Sequence, residues 1–134
     1  MARVTRPMHI IFTLLMLGAL VACQPAAHEP EMTVRGIALA GPVCPVVRDP
    51  PDPECDDRPV VGAEVVIRNE AGEAVARVST GDDGRFSIAL AAGSYELVPQ
   101  PVEGLMGTAA TIEVVVADGH DPDEIVIGYD TGIR

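Results

Sequence analysis

Three cysteines are the side chains of this sequence best suited to covalent chemistry: Cys23, Cys44 and Cys55. A thiolate can carry a modification, bind a metal or pair in a disulfide, and its surroundings decide between these outcomes. Cys23 follows an apolar run, whereas Cys44 and Cys55 flank the segment PVVRDPPDPE. Cys23 therefore has a different environment, and different expected chemistry, from the other two cysteines.

Residues 1–22 have the three-part layout of an export signal. Arg3 and Arg6 provide a positive start, and residues 9–21 form an almost uninterrupted apolar run. The run is too short to span a membrane comfortably as a permanent helix, which favours a cleaved signal peptide. An ordinary secretory signal and a transmembrane anchor are the alternatives.

The residues LVAC at 20–23 resemble the bacterial lipobox, in which a small residue precedes a cysteine. The resemblance implies cleavage before Cys23, diacylglycerol on its thiol and an acyl chain such as palmitate on its new amine. Such multiple acylation anchors a protein far more firmly than a single myristate does. Gln24 stands where an aspartate would indicate inner-membrane retention in enteric-type bacteria. We therefore predict a lipid-anchored protein of the cell envelope, outside the cytoplasm, in the outer membrane if the host has one.

Residues 23–31 are predicted to form a tether between the lipid and a domain that spans 32–134. The stretch QPAAHEPE is polar, contains two prolines and has no hydrophobic periodicity, which is typical of a flexible linker. His28 could be a ligand there, but a solvated linker histidine is the simpler interpretation.

Cys44 and Cys55 are expected to form a disulfide, because an exported protein meets an oxidising compartment. The proline-rich segment between them cannot form a helix or a central strand. A bridge that closes such a loop stabilises a fold by roughly 3 kcal/mol in the chain-entropy model. A metal pair or a redox couple are the alternatives, although neither the close spacing of metal sites nor Cys-x-x-Cys is present.

The charge of the chain excludes some functions. It contains 9 basic residues, all arginine, against 20 acidic ones, for a formal net charge of -11. Every acidic residue lies after position 28, so the part beyond the signal peptide is the more acidic. Such a surface repels nucleic acid, and no nucleic-acid partner is expected. The absence of lysine excludes the Lys–Asn or Lys–Asp isopeptide bond that stiffens some bacterial surface sandwiches.

Short alternating stretches separated by turn signals predict an all-β fold, a seven-stranded Greek-key β-sandwich. The segment 99–110 is interpreted as a connection between sheets, in which Leu105 and Met106 cover a sheet edge or one end of the sandwich. A ligand-facing apolar patch is the alternative for this pair. The predicted strands are 33–40, 63–68, 74–79, 85–90, 94–98, 111–117 and 124–129.

The order of turn glycines and core residues resembles the carboxypeptidase regulatory-like domain of the transthyretin-like (prealbumin-like) group. The resemblance is clear over 34–98 and rests on strand layout beyond. It implies an accessory β-sandwich module and does not imply peptidase activity. The GPVCP segment at 41–45, with Cys55, looks like a variant in which a disulfide-tied loop follows the first strand. The residues that carry the resemblance are PVVGAEV (59–65), Gly72, TGDDGRF (80–86) and AGSY (92–95).

Catalysis is not expected, because no nucleophile with a partnered base is recognisable. A transthyretin-type hydrolase would need a histidine and basic cluster and a characteristic C-terminal tetrapeptide. This chain ends in YDTGIR, and beyond the signal peptide its histidines are His28, in the tether, and His120, in a turn. We predict a protein that is not an enzyme and needs no cofactor.

Calcium is the strongest metal hypothesis. The turn ADGHDPDE brings Asp118, Asp121, Asp123 and Glu124 close in sequence, and a second turn holds Asp82 and Asp83. Oxygen-rich loops can coordinate calcium, but neither turn has EF-hand spacing. Aspartates also favour turns because they bond to nearby backbone amides, which is the simpler interpretation.

The predicted function is that of a structural or protein-interaction module on the cell envelope, docking through sheet edges or the cysteine loop. The alternative is a module that binds a small ligand, carbohydrate or calcium. Sugar sites usually expose aromatic rings, and the tyrosines here are Tyr95 and Tyr129. We expect Tyr95 in the core, so a pocket lined by Tyr129 and acidic groups would favour ligand binding. A flat apolar patch around Leu105 and Met106 would favour a protein partner.

Overall fold

The computed structural model describes residues 28–134. The predicted signal peptide, Cys23 and residues 24–27 of the predicted tether lie outside the described residues. Within 28–134, no helix has the length and apolar character needed to cross a membrane.

The described part of the chain forms eight β-strands and one short 3-10 helix, Pro53–Cys55, arranged as two four-stranded sheets. The predicted all-β sandwich is confirmed, and each of the seven predicted strands corresponds to an observed strand. The additional strand, Arg58–Pro59, is too short to show alternation in the sequence. The strands are β1 (Glu31–Gly41), β2 (Arg58–Pro59), β3 (Glu64–Asn69), β4 (Ala74–Ser79), β5 (Arg85–Ala91), β6 (Gly93–Pro99), β7 (Ile112–Val116) and β8 (Ile125–Asp130).

Strand β1 is the centre of the first sheet. It pairs antiparallel with β5 and, near its end, with β2, and these two strands lie on the same edge of β1. On the other edge it pairs in parallel with β8. The second sheet has the order β4-β3-β6-β7, with all neighbours antiparallel.

Only Ala92 separates β5 in the first sheet from β6 in the second. The Tyr95 hydroxyl donates a hydrogen bond of 2.9 Å to the Ala91 carbonyl and fixes this corner. A tyrosine that bonds back to the backbone at a sheet corner is a recurrent device of β-sandwiches.

The core lies between the sheets and follows the two-residue period of the strands. Val65 and Ile67 of β3 and Ala63 just before it are fully buried, and Phe86 of β5 fills the space opposite Gly36 of β1. The largest fully buried side chains are Ile67, Leu97, Ile127, Val34, Val65, Val116 and Pro99.

Thr80 is a buried polar side chain that joins two connections. Its hydroxyl accepts a hydrogen bond of 2.9 Å from the Ala63 N–H and donates one to the Val60 carbonyl. In the described residues, no buried side-chain nitrogen or oxygen lacks a hydrogen-bond partner. The domain therefore satisfies its buried polar groups internally.

The strand directions define two ends of the domain. Glu31, the turn 69–73 and the β5–β6 corner lie at one end, which we call the tether end. The segment 42–57, the turn 80–84 and the C-terminus lie at the other, the loop end. Because a strand rises about 3.3 Å per residue, the 11 residues of β1 separate the two ends by about 33 Å.

Candidate functional site

Segment 42–57, the disulfide loop, is the largest irregular feature at the loop end. The Cys44–Cys55 disulfide is present, with a Cα–Cα distance of 5.2 Å, which confirms the predicted pairing. Every residue of the loop is exposed or half-buried. The loop therefore contributes little to the core.

The base of the loop is fastened to the C-terminal segment. The Thr131 hydroxyl donates to the Pro42 carbonyl at 2.6 Å, and the Thr131 N–H donates to the Gly41 carbonyl at 3.1 Å. The Asp57 carboxylate packs over Gly41 so closely that a Cβ there would lie 1.9 Å from Oδ1. Both ends of the loop are thus fixed against β1.

Inside the loop, short-range contacts order the backbone. Asp52 caps the 3-10 helix by accepting a hydrogen bond of 3.0 Å from the Glu54 N–H. Arg48 lies 3.6 Å from the Asp52 carboxylate and forms an exposed ion pair with it. The loop consequently presents a defined surface.

Large apolar side chains point into solvent at the loop end. Val46 is 68% exposed and Val47 is 98% exposed, and Val61 and Met106 are each 57% exposed. Burial of such side chains is normally favourable, so adjacent exposed valines on an ordered loop indicate a contact surface.

The prediction that the connection 99–110 crosses between sheets is wrong, because the strands that it joins, β6 and β7, are antiparallel neighbours in the second sheet. The connection reaches out to the first sheet, and there Met106 covers a sheet edge, as predicted. Its N–H donates to the Asp130 carbonyl at 2.7 Å, on the edge of β8 opposite β1. Leu105 is half-buried and packs against the core, while the Met106 side chain lies against Gly132. Met106 and the base of the disulfide loop therefore contact the same C-terminal segment.

Of the two tyrosines, Tyr129 is the more deeply buried. Tyr129 is 3% exposed, and its hydroxyl donates to the Gln100 carbonyl at 3.0 Å. Burial raises the pKa of the Tyr129 hydroxyl above its ordinary value. Tyr129 therefore belongs to the core, in phase with Ile125 and Ile127, and does not line a ligand pocket.

Tyr95, expected in the core, is instead half-buried at the tether end. It borders a hollow of about 340 Å³, the Tyr95 hollow, which also contains three carboxylates. An aromatic ring beside carboxylates can attract a cation. The residues lining the hollow are Asn69, Glu70, Gly72, Ser94, Tyr95, Glu96, Glu113, Val114 and Val115.

The four calcium candidates are distributed around one turn and have different partners. Asp121 accepts a hydrogen bond of 2.8 Å from the Thr33 N–H and lies 3.6 Å from Arg35. Glu124 forms an ion pair with Arg85. Asp118 borders a shallow hollow beside the chain entry to β1, and Asp123 is exposed. Between residues 28 and 134, no three acidic, histidine or cysteine side chains are grouped so as to hold a metal ion.

The second acidic turn has a structural role. Asp83 accepts a hydrogen bond of 3.0 Å from the Arg85 N–H, and Asp82 is exposed. Asp83 thus bonds to a local amide, as its type favours. His28 and His120, the histidines in the described range, are both exposed.

A family model described as carboxypeptidase regulatory-like domain matches residues 52–124, which is more than half of the chain. No curated protein matches the chain. Solved structures, of which three are described next, share the fold at low sequence identity, which shows a common architecture only.

The minor pilin GBS52 of Streptococcus agalactiae superposes with a TM-score of 0.57 at 13% identity, over 76% of this chain and 45% of the pilin. The shaft pilin SpaA of Lactobacillus rhamnosus GG superposes with a TM-score of 0.55 at 13% identity, over 75% of this chain and 51% of the pilin. The TIE protein of Bacillus anthracis superposes with a TM-score of 0.52 at 17% identity, over 74% of this chain and 17% of the TIE protein. The chain therefore spans about half or less of the length of these proteins.

Proposed function

This chain belongs to the carboxypeptidase regulatory-like domain family, and from that premise we propose that it is a non-enzymatic, lipid-anchored module of the cell envelope that docks to another protein. The observation that carries the proposal is the division of the cysteines. The disulfide pairs Cys44 with Cys55, which leaves Cys23 at the end of the predicted signal peptide for lipid. The domain would then be tethered at one end and present its disulfide loop at the other.

The disulfide supports a position outside the cytoplasm, where such bonds persist. The acidic tether end is compatible with this arrangement. Glu29, Glu31, Glu70, Glu73 and Asp118 lie there, and their charge would keep the sandwich away from anionic headgroups. Because Gln24, and not an aspartate, follows Cys23, we propose the outer membrane as the location if the host has one.

A structural or interaction role is consistent with the proteins that share the fold. Two of them are described as pilins, which are structural proteins. Exposed apolar side chains at the loop end give this chain a surface for such a role. The chain cannot supply the amine of an isopeptide bond, because it contains no lysine.

Fatty-acid labelling tests the anchor. Cells fed an alkyne-bearing palmitate analogue should label the wild-type chain, and Cys23→Ser should abolish the label because the acyl chains are attached at that residue. The double variant Cys44→Ser with Cys55→Ser is the matched control and should retain the label. Label that persists in Cys23→Ser would contradict the proposed anchor.

Ligand binding is the second candidate function, and the Tyr95 hollow is the observation that favours it. The ring and the carboxylates of Glu70, Glu96 and Glu113 suit a small cation better than a neutral sugar. Calorimetric titration with spermidine should then give a binding heat that Tyr95→Leu reduces. A separate titration with millimolar calcium tests the acidic turn at Asp118–Glu124. Binding heat without an increase in the free energy of unfolding would count against a specific calcium site.

A further inference from the structure

The disulfide loop exposes two adjacent valines that the domain does not use for its own folding. Val46 and Val47 are 68% and 98% exposed. We propose that these side chains form a docking surface for a protein whose apolar patch is ringed by arginine or lysine. This inference rests on the proposed function and names the surface and the partner chemistry.

The loop is ordered before any partner arrives. The disulfide closes it, Asp52 caps its helical turn, and Thr131 holds Pro42 at its base. A surface that is already ordered loses less conformational freedom on binding, so two exposed valines can contribute more of their burial to affinity. A mobile loop with the same residues would bind more weakly.

Charge around the valines determines the partner chemistry. Between residues 42 and 57 the chain has five carboxylates and one arginine, Arg48, which is already paired with Asp52. Glu54, Asp56 and Asp57 also line a hollow beside the disulfide, where Arg58 is the one cation among three carboxylates. A partner with basic residues around an apolar centre complements this pattern, because charges at an interface rim steer association and suppress wrong partners.

The same charges disfavour a second copy of this chain. Two identical disulfide loops face to face would bring like charges together, and the whole chain has a formal net charge of -11. The loop also lies about 33 Å along β1 from the end at which the tether enters. The partner is therefore expected on the side of the domain that faces away from the lipid anchor.

Photocrosslinking in the native envelope tests the surface. Amine-reactive reagents are unsuitable because the chain has no lysine, so a photoreactive phenylalanine analogue is placed at Val47. The matched control is the same analogue at Val115, which is 71% exposed in β7. One partner should crosslink at position 47 and at least about fivefold less at position 115, since position 115 lies on another part of the domain.

Variants then separate specific docking from chance proximity. With the probe at position 47, Val46→Asp should abolish the adduct because it places a charge in the apolar centre. Glu54→Gln with Asp56→Asn should lower the yield about threefold at low salt and remove its salt dependence. Asp118→Asn with Asp123→Asn, an equal charge change in the turn between β7 and β8, should leave the yield unchanged.

The outcomes distinguish this inference from the proposed function. A partner that crosslinks at position 115 and not at 47 would overturn the docking surface and leave the interaction role standing. An adduct with a second copy of the chain, or a yield insensitive to salt and to the loop acids, would overturn the proposed partner chemistry. The absence of any adduct at both positions would overturn the interaction role itself.

Discussion

Valine has opposite environments in the β-sandwich and in the disulfide loop. Val34 and Val65 are fully buried between the sheets, whereas Val47 is 98% exposed. The sandwich is held together by apolar burial and by ladders of backbone hydrogen bonds. The loop is held by one covalent bond and by contacts at its base. Stability and surface display therefore depend on different parts of the chain.

This difference shows how a small domain can vary its surface without endangering its fold. Substitutions in the core should lower the stability of the whole sandwich, because its side chains are closely packed. Changes at the tip of the loop should alter binding and leave the sandwich intact.

The largest effect is expected from Ile67→Ala. Ile67 is fully buried in β3, where it pairs with Leu97 of β6. Removal of its side chain should lower the free energy of unfolding by about 3–4 kcal/mol, from lost burial and from the cavity left behind. Urea denaturation measures this loss, and Val47→Ala should change it by less than about 0.5 kcal/mol. Similar losses in the two variants would contradict the separation.

The next largest loss of stability is expected from the double variant Cys44→Ser with Cys55→Ser. The chain-entropy model gives roughly 3 kcal/mol for a loop closed over this separation. We expect a smaller loss, because a loop without buried residues gains freedom in the folded state as well. Circular dichroism should retain the full strand signal. Collapse of that signal would show that the sandwich depends on the loop.

A third effect concerns how closely the turn 80–84 packs at the loop end. Gly84 has φ +73°, and a Cβ there would lie 2.7 Å from the Ala38 carbonyl oxygen. Gly62 has φ +69° with open space around it, so an alanine there measures the cost of the positive φ without any steric overlap. Gly84→Ala should cost about 2 kcal/mol and Gly62→Ala about 1 kcal/mol. Equal midpoints in urea would exclude the close approach.

The smallest effect is a pH dependence at the C-terminus. Hydrogen bonds from the Arg134 side chain and the Gly132 N–H lower the pKa of Asp130 from 3.8 to about 2. Because the folded-state pKa is depressed, the associated stabilisation is present above about pH 4 and is lost as the pH falls toward 2. Arg134→Ala should raise the pKa of Asp130, as read by carboxyl NMR. An unchanged pKa would contradict the role of Arg134.

The strands were predictable because alternation along each strand is a local property. Phe86 and Leu90 of β5 are buried as their period of two requires. The pairing of Cys44 with Cys55 was predictable from export and from the residues between them. Strand β2 was not, because two residues cannot display a period.

Features that depend on contacts between distant parts of the sequence were harder to predict. The parallel pairing joins β1 and β8, the first and last strands of the domain in sequence, and no local pattern encodes it. The burial of Tyr129 could have been inferred from its phase with Ile127. The half-exposure of Tyr95 could not, because it depends on the position of the β5–β6 corner at the rim of the sandwich.

The division of the cysteines between an anchor and a loop is tested most directly by the intact mass of the protein extracted from the native envelope without reductant. We predict a chain that begins at Cys23, carries a diacylglyceryl group and a further acyl chain, and gains the mass of two hydrogen atoms when Cys44 and Cys55 are reduced. A mass that includes residues 1–22, an unmodified Cys23, or a mass unchanged by reductant would contradict this division.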